Sequence, residues 1–193
     1  ASLSLAREGG LRRFYRRIPV DYLGAYLPDR LAQRSFRMAL KEIYTIEEWR
    51  TLQLSVLWVF HAIAEVDGLI DEKEWSALFQ AFEDETTIGN PLMQEVLKSI
   101  QVEGDKVLLA SFQQDQRGIS MGLKEAAELV EQKMDEDQAR AFKQALLFLG
   151  VMFARASGEV PGQSSGPKVS EAERAAILTV AAILRLGLED LLI

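Results

Sequence analysis

Four carboxylates, Glu65, Asp67, Asp71 and Glu74, fall within ten residues around the turn Val66-Asp67-Gly68. A hard cation would relieve their mutual repulsion, and an all-oxygen ligand set favours calcium or magnesium over zinc. The spacing overlaps an EF-hand loop, with Asp67, Gly68, Ile70 and Glu74 at its fifth, sixth, eighth and twelfth positions. The overlap stops there, because the first position would be Ile63, an apolar residue that cannot ligate. The same residues also have a purely structural reading, with Gly68 closing one helix, Asp71 capping the next and Glu74 reaching back as its capping-box partner.

Other chemistry has less to work with. The chain has no cysteine and one histidine, which removes thiolate zinc sites, cysteine nucleophiles and imidazole clusters. His61 sits in an apolar run with no second histidine near it and reads as a core residue rather than an acid or base. Ser111, Ser120, Ser164 and Ser165 have no nucleophile-elbow setting. Gly9-Gly10 and the stretch Gly158–Gly166 follow no strand and lack the lysine of a phosphate loop. Trp58, Phe60, Trp75, Phe79 and Phe82 read as core. No pair of acids is set apart for acid–base work, so the expectation is a protein that binds rather than catalyses.

What positions these residues is a chain of 193 residues, 48% apolar and 26% charged, enough for a real hydrophobic core. The net charge of −7 divides unevenly: residues 1–50 carry 10 Lys/Arg against 6 Asp/Glu, whereas 51–193 carry 12 against 23. An acidic body of this kind argues against nucleic acid as the main partner. Arg7, Arg12, Arg13, Arg16 and Arg17 beside Leu11, Phe14, Tyr15 and Ile18 form a short basic amphipathic arm. Such an arm either packs its aromatics on its own domain with the arginines solvated, or meets an anionic membrane surface or acidic partner through Arg12, Arg13, Arg16 and Arg17. The start shows no signal-peptide pattern, and no run of 18 apolar residues occurs, so the expectation is a cytoplasmic protein, at most peripheral to a membrane.

Apolar residues recur at three- and four-residue spacing nearly throughout, with glycine and proline between segments, which predicts an all-α fold, a multi-helix bundle. Short helices are expected after Asp21 and after Pro28-Asp29. Thr45 and Glu48 have capping-box spacing and open a long helix to about Val66, apolar almost all round from Leu54. Asp71 and Glu74 open another. Asn90-Pro91, Asp105 and the residue after Gly118 each start a further helix. Asp135 precedes a second long apolar helix ending near Ala156. The stretch 157–169 is too rich in glycine and proline for a helix, and Ser170 with Glu173 opens a last helix that Gly187 ends.

The two long helices end alike. Ala64-Glu65-Val66-Asp67-Gly68 matches Ala154-Arg155-Ala156-Ser157-Gly158 at an offset of 90, and Asp71-Glu72-Lys73-Glu74 matches Ser170-Glu171-Ala172-Glu173 at an offset of 99. Two copies of buried helix, glycine turn and amphipathic helix predict a pseudo-two-fold bundle with the buried helices at its centre. The pattern Ala-x-x-Asp-Gly-x-Ile-Asp-x-x-Glu at Ala64–Glu74 resembles the tellurite-resistance TerB-like domains, a group that includes the N-terminal region of a membrane-anchored DnaJ-type co-chaperone. The second half resembles them through Ala154–Gly158 and Val169–Glu173. The resemblance covers roughly residues 46–190. It implies an all-helical, non-enzymatic stress-response domain whose acids at Asp67, Asp71 and Glu74, with Glu65 nearby, bind a divalent cation. The second copy departs from the pattern, with Ser157 and Ser170 at the aspartate positions, and keeps only Glu173, with Glu159 as a neighbour. The expected organisation is a basic arm with short helices over 1–45 and a single helical domain over 46–193, with a protein as the expected partner.

Overall fold

In a computed structural model, residues 40–64, 89–157, 169–187 and 190 are described. All of them belong to one unit, Leu40–Ile193, and the fold is an all-α bundle with no strand among the described residues. The helices are α1 (Ile46–Ala64), α2 (Pro91–Glu103), α3 (Asp105–Gln114), α4 (Ile119–Lys133), α5 (Glu136–Ser157) and α6 (Glu171–Ile183).

Most of these helices begin where local side-chain chemistry satisfies free backbone N–H groups. Glu48 N donates to Thr45 Oγ1 at 3.2 Å and Thr45 N donates to the Glu48 carboxylate at 2.7 Å, the reciprocal pair expected from their spacing. Asn90 accepts from Met93 N at 2.9 Å, with Pro91 in the first turn where its missing N–H costs nothing. Asp135 accepts from Gln138 N at 2.8 Å, and Ser170 with Glu173 forms the second capping box at 3.1 and 2.6 Å. Between α2 and α3 a single residue, Gly104, reverses the chain at φ 86° and ψ 149°, a backbone region essentially restricted to glycine.

Helix α1 is the axis of the bundle and packs against each of the other five. Residues 51–60 are buried without interruption, because neighbours cover the helix on every side. Its polar residues survive there by finding local or paired acceptors. Thr51 Oγ1 donates to Glu47 O at 3.1 Å and Ser55 Oγ to Leu52 O at 2.6 Å. Gln53 Nε2 and Trp49 Nε1 both donate to Ser99 Oγ, at 3.0 and 3.1 Å, and so fix α2 to α1. Two glycines let neighbours approach closely. A Cβ on Gly122 of α4 would stand 2.4 Å from Trp58 Cε2, and one on Gly150 of α5 would stand 2.6 Å from Ile63 Cδ1.

Each buried position of α5 has a buried counterpart 90 residues earlier in α1, whereas α1 also buries Thr51, Leu54 and Trp58, whose counterparts Ala141, Gln144 and Phe148 are half-buried. The buried positions of α5 are 139, 142, 143, 145, 146, 147, 149, 150, 153 and 154. Their mutual contacts exchange as well: Phe60 meets the Phe153 ring edge-on at 5.3 Å, while Gly150 faces Ile63. In that offset Phe153 corresponds to Ile63 and Gly150 to Phe60. The caps Thr45 and Asp135 and the arginines Arg50 and Arg140 also correspond, and each arginine holds a downstream acid at 2.7 Å, Glu103 and Asp190 respectively.

One expectation is corrected. The last helix ends at Ile183, not at Gly187, and the left-handed residue that closes it is Arg185 at φ 57°. Arg185 N donates to Ala182 O at 3.1 Å and Leu186 N to Ala181 O at 3.0 Å, a Schellman closure made without glycine. Helices α3 and α6 leave some of their apolar residues outside the core. Leu108 is buried, but Val107 on α3 and Leu178 on α6 are 47% and 53% exposed, because each helix docks by one side only.

Candidate functional site

Glu65, Asp67, Asp71 and Glu74, together with Glu159 and the arginines Arg12, Arg13, Arg16 and Arg17, lie outside the described residues. Glu173, the remaining candidate ligand, is 4% exposed and its carboxylate accepts from Ser170 N at 2.6 Å. That carboxylate therefore serves the start of α6. His61 is half-buried in α1, stacked on Phe112 at 4.6 Å with 17° between the planes and edge-on to Phe60. Among the described residues no three His, Asp or Glu side chains converge as a metal site.

The densest polar cluster among the described residues centres on Arg117, in the turn between α3 and α4. Its backbone N–H and its guanidinium both engage Asp115, with N to Oδ1 at 2.8 Å, Nε to both carboxylate oxygens at 3.0 Å and a terminal nitrogen to Oδ2 at 2.5 Å. The other terminal nitrogen donates to Glu125 at 2.8 Å and to Thr51 Oγ1 at 3.0 Å. The guanidinium also lies 4.9 Å from the ring centre of Trp58, a cation–π contact. These bonds hold the Asp115 carboxyl below the usual carboxylate range and push the guanidinium pKa further up.

A second network joins α4, α5 and the chain after α6. Arg185 places one nitrogen 2.8 Å from Glu128 and another 2.8 Å from Glu131. Glu131 also takes Lys143 at 2.8 Å, a lysine 7% exposed on α5. Asp190, 5% exposed, accepts from Arg140 at 2.7 Å, from Gln144 at 2.8 Å and from Gly187 N at 2.8 Å. The bond from Arg140, followed by that from the Gly187 amide, outweighs burial and lowers the Asp190 pKa.

At the start of α1, Lys133 bridges the Glu48 carboxylate at 3.0 Å and Ile43 O at 3.2 Å. The bond from Thr45 N, then that from Lys133, lowers the Glu48 pKa. Tyr44 is 7% exposed against the Trp49 ring, 5.9 Å away, and its hydroxyl makes no hydrogen bond within the described residues. Burial, with the Glu48 charge, pushes that phenol up. Among the described residues, then, the Glu48, Asp115 and Asp190 carboxyls are lowered and the Tyr44 phenol and Arg117 guanidinium are raised. What these clusters do chemically is hold fixed charges in fixed pairs that clamp helices.

The cap at Glu173 was legible from its i, i+3 spacing to Ser170. The Arg117 cluster has one local signal, the aspartate of Asp115-Gln116-Arg117-Gly118 facing an N–H two residues on, and its bonds to Thr51 and Glu125 have none. The pairs Arg140–Asp190 and Arg185–Glu131 join residues some fifty positions apart and have no local signature.

No family model, no curated protein and no solved structure matches the chain. Among the described residues no helix is long and apolar enough to cross a membrane.

Proposed function

We propose that this chain is a TerB-like, non-enzymatic binding protein of the tellurite-resistance and stress-response type, working in the cytoplasm. The bundle acts as a rigid platform, and the acidic turn Glu65–Glu74 takes a divalent cation, calcium or magnesium before zinc. The observation that carries this reading is the correspondence of α1 and α5. Their exchanged contacts, Phe60 with Phe153 and Gly150 with Ile63, support a pseudo-two-fold between the two long helices of a duplicated unit. The motif resemblance has the same double form.

A thermal melt tests the cation site. Calcium or magnesium is expected to raise Tm, chelator to reverse the rise and Asp67→Asn to abolish it; by linkage, a free cation at 100 times its Kd adds about 2.7 kcal/mol. Melts identical with calcium, magnesium, zinc and chelator would remove the cation from the proposal.

A second reading is an interaction or membrane-peripheral scaffold with no metal. It is favoured by α6, where Ala175, Leu178 and Ala182 are exposed at helical spacing on a helix whose opposite side, Val180, Ala181 and Leu184, is buried. In this reading Arg12, Arg13, Arg16 and Arg17 supply the contact to an anionic surface. Binding to anionic vesicles or an acidic partner, lost when those four arginines are replaced and indifferent to cations, would select it.

A further inference from the structure

We propose that the outward side of α6 is a docking surface for a second copy of this chain, the two helices packing antiparallel about a two-fold axis at Leu178. The proposal rests on the second reading only in taking that side of α6 as an interaction surface, and it is independent of the cation.

Helical spacing sets the surface. Glu171, Ala175, Leu178 and Ala182 are exposed at steps of four, three and four residues, and Arg185 follows three residues on, just past the helix end. Such a series keeps one stripe toward a partner helix, as in a coiled-coil seam. The stripe is turned away from the bundle, because Glu173, Val180, Ala181 and Leu184 hold the opposite side of α6 in the core. Leu178, a large apolar residue, stands exposed at its middle, with an alanine on either side that lets another helix approach to about 8 Å.

Charge selects the partner. Leu178 lies midway between Glu171 and Arg185, roughly 10 Å from each along the axis. An antiparallel copy therefore brings Glu171 of each chain to Arg185 of the other, Ala175 to Ala182, and Leu178 to itself. Glu171 makes no ion pair among the described residues. Arg185 is half exposed, and the bonds of its terminal nitrogens to Glu131 and Glu128 leave its Nε–H for a further acceptor. A parallel copy would set like charges against each other at both ends. The surface is thus complementary to itself, as an isologous two-fold contact requires. One helix face per copy falls at the low end of interface size, below about 1,200 Å², so the association is weak and reversible.

Sedimentation of the full chain from about 1 µM to about 1 mM tests this. The parent is expected to pass from monomer to dimer as concentration rises. Leu178→Glu sets two carboxylates on the axis and is expected to keep the chain monomeric with its helix content unchanged, since the side chain is exposed. Glu171→Lys makes both end pairs repulsive and is expected to raise the dimer Kd roughly tenfold. Because the chain has no cysteine, Leu178→Cys reads the axis directly: oxidation should give a disulfide-linked dimer, whereas Gln116→Cys, exposed in the turn before α4, should give none. A parent still monomeric at about 1 mM, or a dimer that Leu178→Glu leaves intact, would overturn the proposal. Vesicle binding separates it from the second reading. A monomer that binds anionic vesicles sinks the dimer alone, and a dimer indifferent to vesicles and acidic partners sinks the contact through the arginines alone.

Discussion

Replacing Gly122 by alanine tests the packing logic of the bundle most directly. On an exposed helix the change would stabilise by about 1 kcal/mol, because glycine costs conformational entropy. At this position the added Cβ would lie 2.4, 2.5 and 2.6 Å from Trp58 Cε2, Cζ2 and Cδ2. Carbon atoms pack at roughly 3.5–4.0 Å, so ring or helix must move by about 1 Å. The ring cannot give easily: Trp58 is 1% exposed, and Arg117 lies over it, tied in turn to Asp115, Glu125 and Thr51. Overpacking of this kind costs about 1–3 kcal/mol, and the shortness of the contact places it at the upper end. Offsetting the gain in helix propensity leaves a net loss of about 2 kcal/mol, a fall in Tm of roughly 4–8 °C for a domain of this size. Urea unfolding followed by tryptophan fluorescence, with a thermal melt alongside, measures it. Gly89→Ala, with nothing within 4 Å of its Cβ, is the control and should stay within about 0.5 kcal/mol of the parent. In the double variant with Trp58→Phe the clash should shrink, so the two losses should add to less than their sum. A Gly122→Ala protein as stable as the parent would refute the close α1–α4 contact.

Ser170→Ala removes one half of the second capping box and should cost about 1 kcal/mol, read by urea unfolding and by faster amide exchange at the start of α6. Arg117→Lys keeps the charge but cannot reproduce the bonds to Asp115, Glu125 and Thr51 at once; a loss of about 1–3 kcal/mol is expected in the same assay. For pH, the Asp115, Asp190 and Glu48 carboxyls are all lowered in the folded chain. Their stabilisation is complete above the ordinary carboxylate value, about pH 4, and is lost as pH falls through the lowered folded values. Unfolding free energy should therefore drop on the acid side of about pH 4, and Asp190→Asn should make that slope shallower.

The helix starts and the central place of α1 were legible because they depend on neighbours in sequence. A cap joins residues three apart, so Thr45 with Glu48, Asn90 with Met93 and Ser170 with Glu173 bond as their spacing predicts. A helix apolar all round can only be satisfied in the middle of a bundle, and α1 is buried accordingly. The acidic turn was legible as chemistry, whereas its geometry lies outside the described residues; of the candidate ligands, Glu173 alone is described, as a cap. Tertiary structure decided what the sequence left open. Arg185, rather than Gly187, takes the left-handed position, and its side chain is held by carboxylates on α4, more than fifty residues away. The side by which α6 docks, and the need for glycine at 122 and 150, depend likewise on which helix lies opposite. Local hydrogen bonds are fixed by the spacing of residue types along one helix, but ion pairs and close approaches between helices exist only once the helices have docked.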